Sequence, residues 1–171
     1  MFDLKSYIRE IQDFPKKGIS YKDITPLLSD IDALKSCADA IASKFTNQGI
    51  TKVIGIESRG FFVGTLIAER LDAGFVPVRK PGKLPFTTHS ESYALEYGED
   101  ALEIHTDAIA KGEKILIHDD VLATGGTAKA AIRLAEKMEV DIVGLSFLIE
   151  LSFLHGREKL GKYAIDSLAT Y

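Results

Sequence analysis

The order of apolar and polar positions along the chain predicts strands that alternate with helices. Short apolar runs, typical of buried strands, occupy residues 51–56, 74–79, 114–118 and 141–150. Apolar residues at helical spacing predict helices from Ile31 to Phe45, from about 60 to 72, and from the end of Thr-Gly-Gly-Thr to about 138. A weaker pattern over residues 163–169 predicts one further strand.

Three segments show other patterns. Residues 3–12 carry apolar side chains at helical spacing, which predicts a short amphipathic helix. Residues 80–92, rich in Pro, Gly, Ser and Thr, predict a long mobile loop. Alternating residues on both sides of Gly98 predict a hairpin.

Strands that alternate with helices predict an α/β fold, in which helices flank a mainly parallel central sheet. The chain has 171 residues, which suits a single domain with one core. With 21 Lys and Arg against 25 Asp and Glu, the formal net charge is -4. A mildly acidic surface argues against general nucleic-acid binding, which needs a basic face.

Other features of composition bear on location. No run approaches the ~18 continuous apolar residues of a membrane span. The first ten residues lack the apolar core of a signal peptide. The one cysteine, Cys37, lies in an apolar helical pattern and cannot form an internal disulfide, so we read it as a core residue. We therefore expect a cytoplasmic protein that does not bind membranes.

Candidate chemistry follows three of the predicted strands. The segments are Glu57–Gly60, Arg79–Pro81 and Asp119–Thr127. In open parallel sheets, ligands bind beyond the carboxyl ends of the strands. The sequence therefore predicts one ligand site, built from these three loops.

The loop from Ala123 to Thr127 resembles a phosphate cradle. Its two glycines let successive N–H groups point inward, and the following helix N-terminus favours an anion. It is not a Walker loop, because no Gly-Lys-Ser/Thr follows. An ordinary strand-to-helix turn is the alternative.

Asp119 and Asp120 precede this loop by three residues. Two carboxylates would repel a bound phosphate, but they suit sugar hydroxyls or a divalent cation. A sugar with a 5′-phosphate and vicinal hydroxyls satisfies both the acids and the loop. A helix-capping Asp beside a solvated Asp is the alternative. The four histidines have no metal-ligand spacing, and we assign them no catalytic role.

The segment ILIHDDVLATGGT resembles the phosphoribosyl-pyrophosphate (PRPP) motif of the type I phosphoribosyltransferases. FPKKGISYKDITPLL resembles the N-terminal signature of the adenine phosphoribosyltransferase family, and four more segments follow in that family's order. These are GIESRGFFVG, VPVRKPGKLP, SYALEYG and LIELSFLHGREKL. Two residues depart from the usual pattern, Lys17 in place of proline and Tyr21 in place of phenylalanine, and both lie in the region expected to bind the base.

The resemblance implies transfer of the 5-phosphoribosyl group of PRPP to adenine, giving AMP and pyrophosphate, with Mg²⁺ as cofactor. It implies a type I phosphoribosyltransferase fold, with a base-binding hood over about residues 1–30 and a mobile lid hairpin. Asp119 and Asp120 would bind the ribose hydroxyls, and any protein contact with Mg²⁺ would lie near them. The 5′-phosphate would be bound by Ala123, Thr124, Gly125, Gly126 and Thr127.

The same resemblance assigns the rest of the site. It implies a pyrophosphate loop with a cis peptide bond between Ser58 and Arg59. The implied pyrophosphate-binding residues are Ser58, Arg59, Gly60, Arg79, Lys80, Lys83 and Tyr97. Arg79 would come from the partner in a homodimer. The implied adenine-binding residues are Phe14, which would stack on the ring, Ser20, Arg59 and Leu151.

The implied catalytic residues are Arg59, Asp119, Asp120 and Glu96, which would position the base or handle its proton. Glu96 and Tyr97 would lie on the lid. The residues alone also allow simpler interpretations: a solvated basic loop at 79–83, an ordinary helix start at Ser58, and a surface carboxylate at Glu96.

Three alternatives to this function remain. The same fold could act on hypoxanthine, guanine, xanthine or orotate, since the PRPP loop is shared among such enzymes and only the N-terminal segment discriminates. A PRPP-sensing regulator that does not catalyse normally carries a nucleic-acid-binding domain or a basic face, and the sequence shows neither. A purely structural protein would not need so many polar motifs after its strands.

Overall fold

A computed structural model describes residues 2–94 and 99–171, and it has the predicted α/β architecture. Its centre is a five-stranded sheet in which every neighbouring pair is parallel. The strands, in the spatial order β4-β3-β7-β8-β9, are Gly74–Val78, Lys52–Ile56, Lys114–Leu122, Asp141–Glu150 and Ile165–Thr170. The predicted parallel sheet is confirmed.

Helices cover both faces of this sheet. They are α1 (Thr25–Ser29), α2 (Ile31–Phe45), α3 (Gly60–Arg70) and α4 (Gly126–Lys137). Helices α2 and α3 pack on one face with Val53 and Leu116 of the sheet. Helix α4 packs on the other face with Ile54 and Ile117. Side chains of consecutive strand residues point to opposite faces of the sheet. Because helices cover both faces, residues that point to either face are buried, and the sequence shows continuous apolar runs.

Among the four α-helices, α2 starts at a side-chain cap. The Asp30 side chain accepts hydrogen bonds from the backbone N–H groups of Asp32 and Ala33, so it caps α2. Two short 3₁₀ helices, Ser152–Leu154 and Gly156–Leu160, connect β8 to β9. None of the helices in the described part of the chain is long and apolar enough to cross a membrane.

The predicted helix over residues 3–12 is wrong. A 3₁₀ helix, Leu4–Tyr7, is followed by strand β1, Arg9–Gln12, which pairs antiparallel with β2, Ser20–Asp23. Pairing with a distant segment satisfies the backbone groups that a helix would have bonded locally, so tertiary context overrides the spacing of the apolar residues. Strands β1 and β2 form a separate two-stranded sheet.

The predicted loop over residues 80–92 is shorter than expected. Strand β5, Thr88–Ala94, pairs antiparallel with β6, Glu99–His105. The Glu91 carboxylate holds β5 against α4 through ion pairs with Arg133, at 3.0 Å, and Lys137, at 2.7 Å. A strand therefore replaces the second half of the loop, and the antiparallel pairing expected of a hairpin is confirmed between residues 88–94 and 99–105. Its mobility stays a prediction.

Strand β7 is longer than the apolar run that predicted it. It continues to Leu122, and Asp119 pairs with Phe147 of β8 within the ladder. The prediction that β7 ends before the two acids is therefore wrong, because backbone pairing with β8 continues past the last apolar residue of the run. The acids are held by the sheet itself rather than by a loop.

Candidate active site

Three adjoining cavities lie at the carboxyl ends of β3 and β7. The smallest, about 60 Å³, is formed by residues 119 and 121–128. The largest, about 540 Å³, lies over the acids and reaches Ser58 and Lys80. The third, about 170 Å³ and mostly apolar, lies beneath β2. Val121 and Ala123 line all three, so a single ligand set can extend from one cavity to the next.

The small cavity is formed by the phosphate loop, Ala123–Thr127. Gly125 precedes α4 with φ at +80°, a left-handed conformation that glycine adopts without strain. Gly156 packs directly against this loop. A Cβ atom at Gly156 would lie 2.1 Å from the carbonyl oxygen of Ala123. The loop is therefore shaped by backbone contacts, and all five residues predicted to bind the 5′-phosphate line this cavity.

Asp119 and Asp120 both line the large cavity. Burial and the neighbouring charge of Asp120 raise the pKa of Asp119 well above its usual value. Burial also raises the pKa of Asp120, although the Arg59 guanidinium opposes that rise. Asp120 is only 3% exposed. Its Oδ2 lies 2.7 Å from Nε of Arg59, yet no hydrogen bond from the described residues reaches that oxygen. A ligand donor would satisfy it.

Arg59 lies between the sheet and the β1–β2 hairpin. Besides the ion pair with Asp120, its Nη1 donates a hydrogen bond to the hydroxyl of Tyr21, whose ring centroid is 5.3 Å from the guanidinium carbon. Helix α3 begins at Gly60, where a Cβ atom would lie 2.9 Å from the carbonyl oxygen of His118. The close approach of α3 to β7 brings Arg59 beside the acids.

The pyrophosphate loop predicted from Ser58, Arg59 and Gly60 follows β3, and Ser58 and Arg59 line the large cavity. The prediction of a cis bond between Ser58 and Arg59 is wrong by one residue, because the cis bond joins Glu57 to Ser58. The Glu57 amide still donates to the carbonyl of Val78, at 2.9 Å, so pairing with β4 continues through Glu57 and the chain turns directly after it.

The three predicted pyrophosphate cations have different surroundings. Arg79 makes two hydrogen bonds to Glu57 of its own chain, at 3.1 and 3.2 Å. Lys80 lines the large cavity and pairs with Asp100 at 2.9 Å. Lys83 is exposed, and its backbone carbonyl accepts from Nη1 of Arg79. Of these three cations, Lys80 is the one that lines the cavity containing the acids, which Arg59 already contacts.

The apolar cavity contains three of the four residues predicted to bind adenine: Ser20, Arg59 and Leu151. Phe14 does not line it. Its ring is 50% exposed and packs edge-on against Tyr21, with 5.1 Å between centroids. Its stacking on the base stays a prediction. Glu96 and Tyr97 lie outside the described residues.

Three residues of the site were assigned no role from the sequence, although Glu57 and Val121 lie in segments predicted to form it. Glu57 follows β3 directly, and hydrogen bonds from Arg79 and Lys80 lower its pKa despite the opposing effect of burial. Tyr93 of β5 reaches the large cavity from the hairpin and donates to Asp100 at 3.2 Å. Val121 lines all three cavities. The position of Glu57 after a strand end was a usable signal, whereas Tyr93 is brought in only by the hairpin.

The remaining titratable groups near the site are structural. His118 is buried, Nδ1 lies 3.0 Å from Oγ of Ser146, and burial lowers its pKa to about 3. Cys37 is buried as expected, and burial raises its pKa to about 12. Across residues 2–94 and 99–171, no group of three or more His, Cys, Asp and Glu side chains could hold a metal ion.

Comparison with known proteins agrees with this geometry. Residues 25–168 match the family model of the phosphoribosyl transferase domain. Adenine phosphoribosyltransferase from Christiangramia forsetii is 60% identical over 169 residues, which span 99% of both chains. The chain belongs to the adenine phosphoribosyltransferase family.

Solved adenine phosphoribosyltransferases share the fold closely. The enzyme from Thermoanaerobacter pseudethanolicus superposes with a TM-score of 0.95 at 49% identity, covering 98% of each chain. The Saccharomyces cerevisiae enzyme, solved with an imino-altritol bisphosphate and adenine, has a TM-score of 0.92 at 38% identity and covers 96% of each chain. The type I phosphoribosyltransferase fold expected from the sequence is confirmed.

Proposed function

We propose that the protein transfers the 5-phosphoribosyl group of PRPP to adenine, forming AMP and pyrophosphate. The observation that carries this proposal is the arrangement of three joined cavities of different chemistry. A phosphate cradle, a polar cleft with two acids and an apolar slot share Val121 and Ala123. A phosphorylated sugar that reacts with a flat base needs these three environments side by side. The complex of the yeast relative with adenine and a sugar bisphosphate analogue supports the assignment.

We assign the ribose to the two acids. The vicinal hydroxyls would donate to Asp119 and Asp120, and one of them would satisfy the buried Oδ2 of Asp120. Such charge-assisted hydrogen bonds favour the ionised acids, which burial otherwise disfavours. The phosphate loop would hold the 5′-phosphate with its N–H groups and with the hydroxyls of Thr124 and Thr127. Both ends of the sugar would then be held while its anomeric carbon reacts.

Departure of pyrophosphate leaves positive charge on the sugar and builds negative charge on the leaving group. We place the pyrophosphate near Ser58, Arg59, Gly60 and Lys80, where cations face the cleft. Fixed charges that oppose charge developing in the transition state lower its energy. We propose that Glu96 positions the base or its proton and that Tyr97 covers the pyrophosphate when the β5–β6 hairpin closes as a lid.

Mg²⁺ is the proposed cofactor. The carboxylates of Asp119 and Asp120 both line the large cavity, and their oxygens outside the ion pair of Asp120 Oδ2 with Arg59 fit a hard cation. Two carboxylates are too few to bind it alone, so PRPP oxygens and water would supply its other ligands. When bound, the ion neutralises charge on the pyrophosphate. The protein residues orient the sugar and phosphates around it.

We propose a homodimer, as the sequence resemblance implied, with residues 1–30 forming the hood over the base. To reach pyrophosphate bound in the partner subunit, Arg79 would have to break its two hydrogen bonds to Glu57. Analytical ultracentrifugation measures the oligomeric state directly. Cytoplasmic location, expected from the composition and the single cysteine, stays a prediction.

The test of function is a panel of bases assayed for nucleotide formation by mass, with PRPP and Mg²⁺ present. We expect AMP from adenine and little IMP or GMP. Adenine presents an amino donor and a bare N1 acceptor, whereas the oxo-purines present a carbonyl acceptor and an N1–H donor. A pocket whose backbone groups near Ser20 accept from the amino group would leave buried groups unpaired with an oxo-purine, costing about 1–3 kcal/mol each. IMP or GMP at comparable rates would indicate another base, and no nucleotide with PRPP still bound would indicate a sensor.

A further inference from the structure

Lys22 of strand β2 is buried and lines the apolar cavity. Its side chain is only 8% exposed, an unusual position for an ammonium group. Three groups compensate its burial. Oε1 of Glu10 lies 2.7 Å from Nζ, Oγ of Ser20 lies 3.3 Å away, and the centroid of the Tyr171 ring lies 4.1 Å away. The ring contact is the one that joins β2 to a residue outside the β1–β2 hairpin.

Tyr171 also contacts the opposite wall of the cavity. Its carbonyl oxygen accepts from the backbone N–H of Ser152 at 3.0 Å and from Oγ of Ser152 at 2.7 Å. Its own N–H donates to the carbonyl of Glu150 at 2.9 Å. Leu151, which lines the cavity, lies between these two anchored residues. The main chain of Tyr171 therefore holds one wall while its ring holds the other.

The ring is well suited to this contact. A second ammonium, Nζ of Lys5, lies 4.6 Å from its centroid. Aromatic faces attract cations at such distances, most strongly where water is excluded. Burial and the charges of Glu10 and Asp3 raise the pKa of the phenol above its usual value, so the ring stays neutral at physiological pH. The β1–β2 sheet has no strand pairing with the central sheet, so contacts of this kind decide its position.

We propose that Tyr171 is a positioning residue for the base: it fixes the distance between Ser20 on β2 and Leu151 after β8, and thereby sets base affinity. The inference rests on the proposed function, since it takes the apolar cavity as the base site. Tyr171 acts through Lys22 and Ser152 and does not line the cavity itself.

The test compares Tyr171→Leu with Tyr171→Phe. Leucine removes the π-face, whereas phenylalanine keeps it and removes only the hydroxyl. We expect Tyr171→Leu to raise the KM for adenine about five- to thirtyfold, with kcat and the KM for PRPP within about twofold of the wild type. Tyr171→Phe should match the wild type. Tyr163→Leu is the matched control, because it removes a partly buried tyrosine far from the base site.

A double-mutant cycle distinguishes loss of the contact between the Tyr171 ring and Lys22 from general destabilisation of the protein. Lys22→Met should raise the KM for adenine, and adding Tyr171→Leu to it should cost less than the sum of the two changes. Full additivity, an unchanged adenine KM in Tyr171→Leu, or a parallel rise in the KM for PRPP would overturn the proposal. Failure of Tyr171→Phe to restore wild-type behaviour would overturn it as well.

Amide hydrogen exchange keeps the two proposals distinguishable. If the wild type makes no AMP from adenine, the proposed function fails. The effect of Tyr171 on the position of β2 can still be measured by exchange. Exchange at Ser20–Lys22 should be faster in Tyr171→Leu than in the wild type, Tyr171→Phe and Tyr163→Leu. Equal exchange in all four proteins would show that Tyr171 does not hold β2, whatever the enzyme's substrate.

Discussion

At Val121 and Ala123 the proposed phosphate loop meets the proposed base pocket, and the two regions are held in place by different contacts. The phosphate loop joins β7 to α4 and is shaped by main-chain contacts with Gly156. One wall of the base pocket belongs to β2, in a two-stranded sheet without pairing to the centre. That wall is held by side chains, through Arg59 to Tyr21 and through Tyr171 to Lys22.

The difference matches the ligand that each region is proposed to bind. A phosphate is recognised by several N–H groups at once, so small backbone shifts weaken all of these bonds together. A flat base is recognised by an apolar slot whose walls can adjust by a fraction of an ångström. We therefore expect substitutions at the loop to have large effects on PRPP use, and substitutions at the hairpin to have small effects on adenine use.

Gly156→Ala should have the largest effect. The new Cβ atom would lie 2.1 Å from the carbonyl oxygen of Ala123 and 2.9 Å from the amide nitrogen of Gly125. Both are backbone atoms, so the loop must move. Displacing binding groups by about 1 Å can cost on the order of 100-fold in rate. We expect at least this loss in kcat/KM for PRPP, measured by steady-state kinetics.

Gly144→Ala is the control for this substitution. There the Cβ atom would press on the Phe45 ring, at 2.9 Å, away from the site. The control should lower the melting temperature without changing the KM for PRPP. A normal KM for PRPP in Gly156→Ala would show that the loop does not depend on that contact.

Asp119→Asn should lower activity by an intermediate amount. It should also raise the stability of the folded protein. Losing a charged acceptor for a ribose hydroxyl costs about 1.5–3 kcal/mol, or roughly ten- to 150-fold in kcat/KM for PRPP. The pKa of Asp119 is raised in the folded protein, so the folded state holds a proton that the unfolded chain releases above about pH 4. Stability then falls as pH rises from there through the raised pKa.

Asparagine does not ionise, so the variant avoids the loss of stability that Asp119 causes as pH rises. It should therefore melt above the wild type at pH 7, by roughly 2–4 °C for each kcal/mol gained. The gain should shrink toward pH 4, as calorimetry across pH would show. Asp30→Asn, which keeps the capping oxygen of α2, is the control and should show neither effect. An inactive Asp119→Asn that melts below the wild type at pH 7 would mean that the carboxylate is stabilised in the folded protein.

Tyr21→Phe should have the smallest effect. It removes only the hydroxyl that accepts from Arg59, and the ring still packs against Phe14. A hydrogen bond contributes about 0.5–1.5 kcal/mol net, so the KM for adenine should rise about two- to tenfold with kcat/KM for PRPP unchanged. Tyr7→Phe, a change to a ring stacked on Phe2, should change neither constant. A larger loss on the PRPP side would mean that Tyr21 supports the pyrophosphate role of Arg59.

Much of the site could be predicted because its residues follow buried strands closely in sequence. The loop at Ala123–Thr127 and the acids at Asp119 and Asp120 are adjacent along the chain, so a short motif identifies them. The helix at residues 3–12 was predicted wrongly because residues 9–12 pair with residues 20–23 of β2, and local spacing carries no information about that partner.

The sequence alone determined the parallel sheet, the loops that carry the polar groups and the family. Apolar runs, glycines and paired acids act over a few residues, and their effect on the backbone is local. The tertiary structure decided which distant residues meet: Glu57 with Arg79, Gly156 with the phosphate loop, and Tyr171 with Lys22. These contacts depend on how strands and loops far apart in sequence are brought together, and no short pattern encodes that geometry.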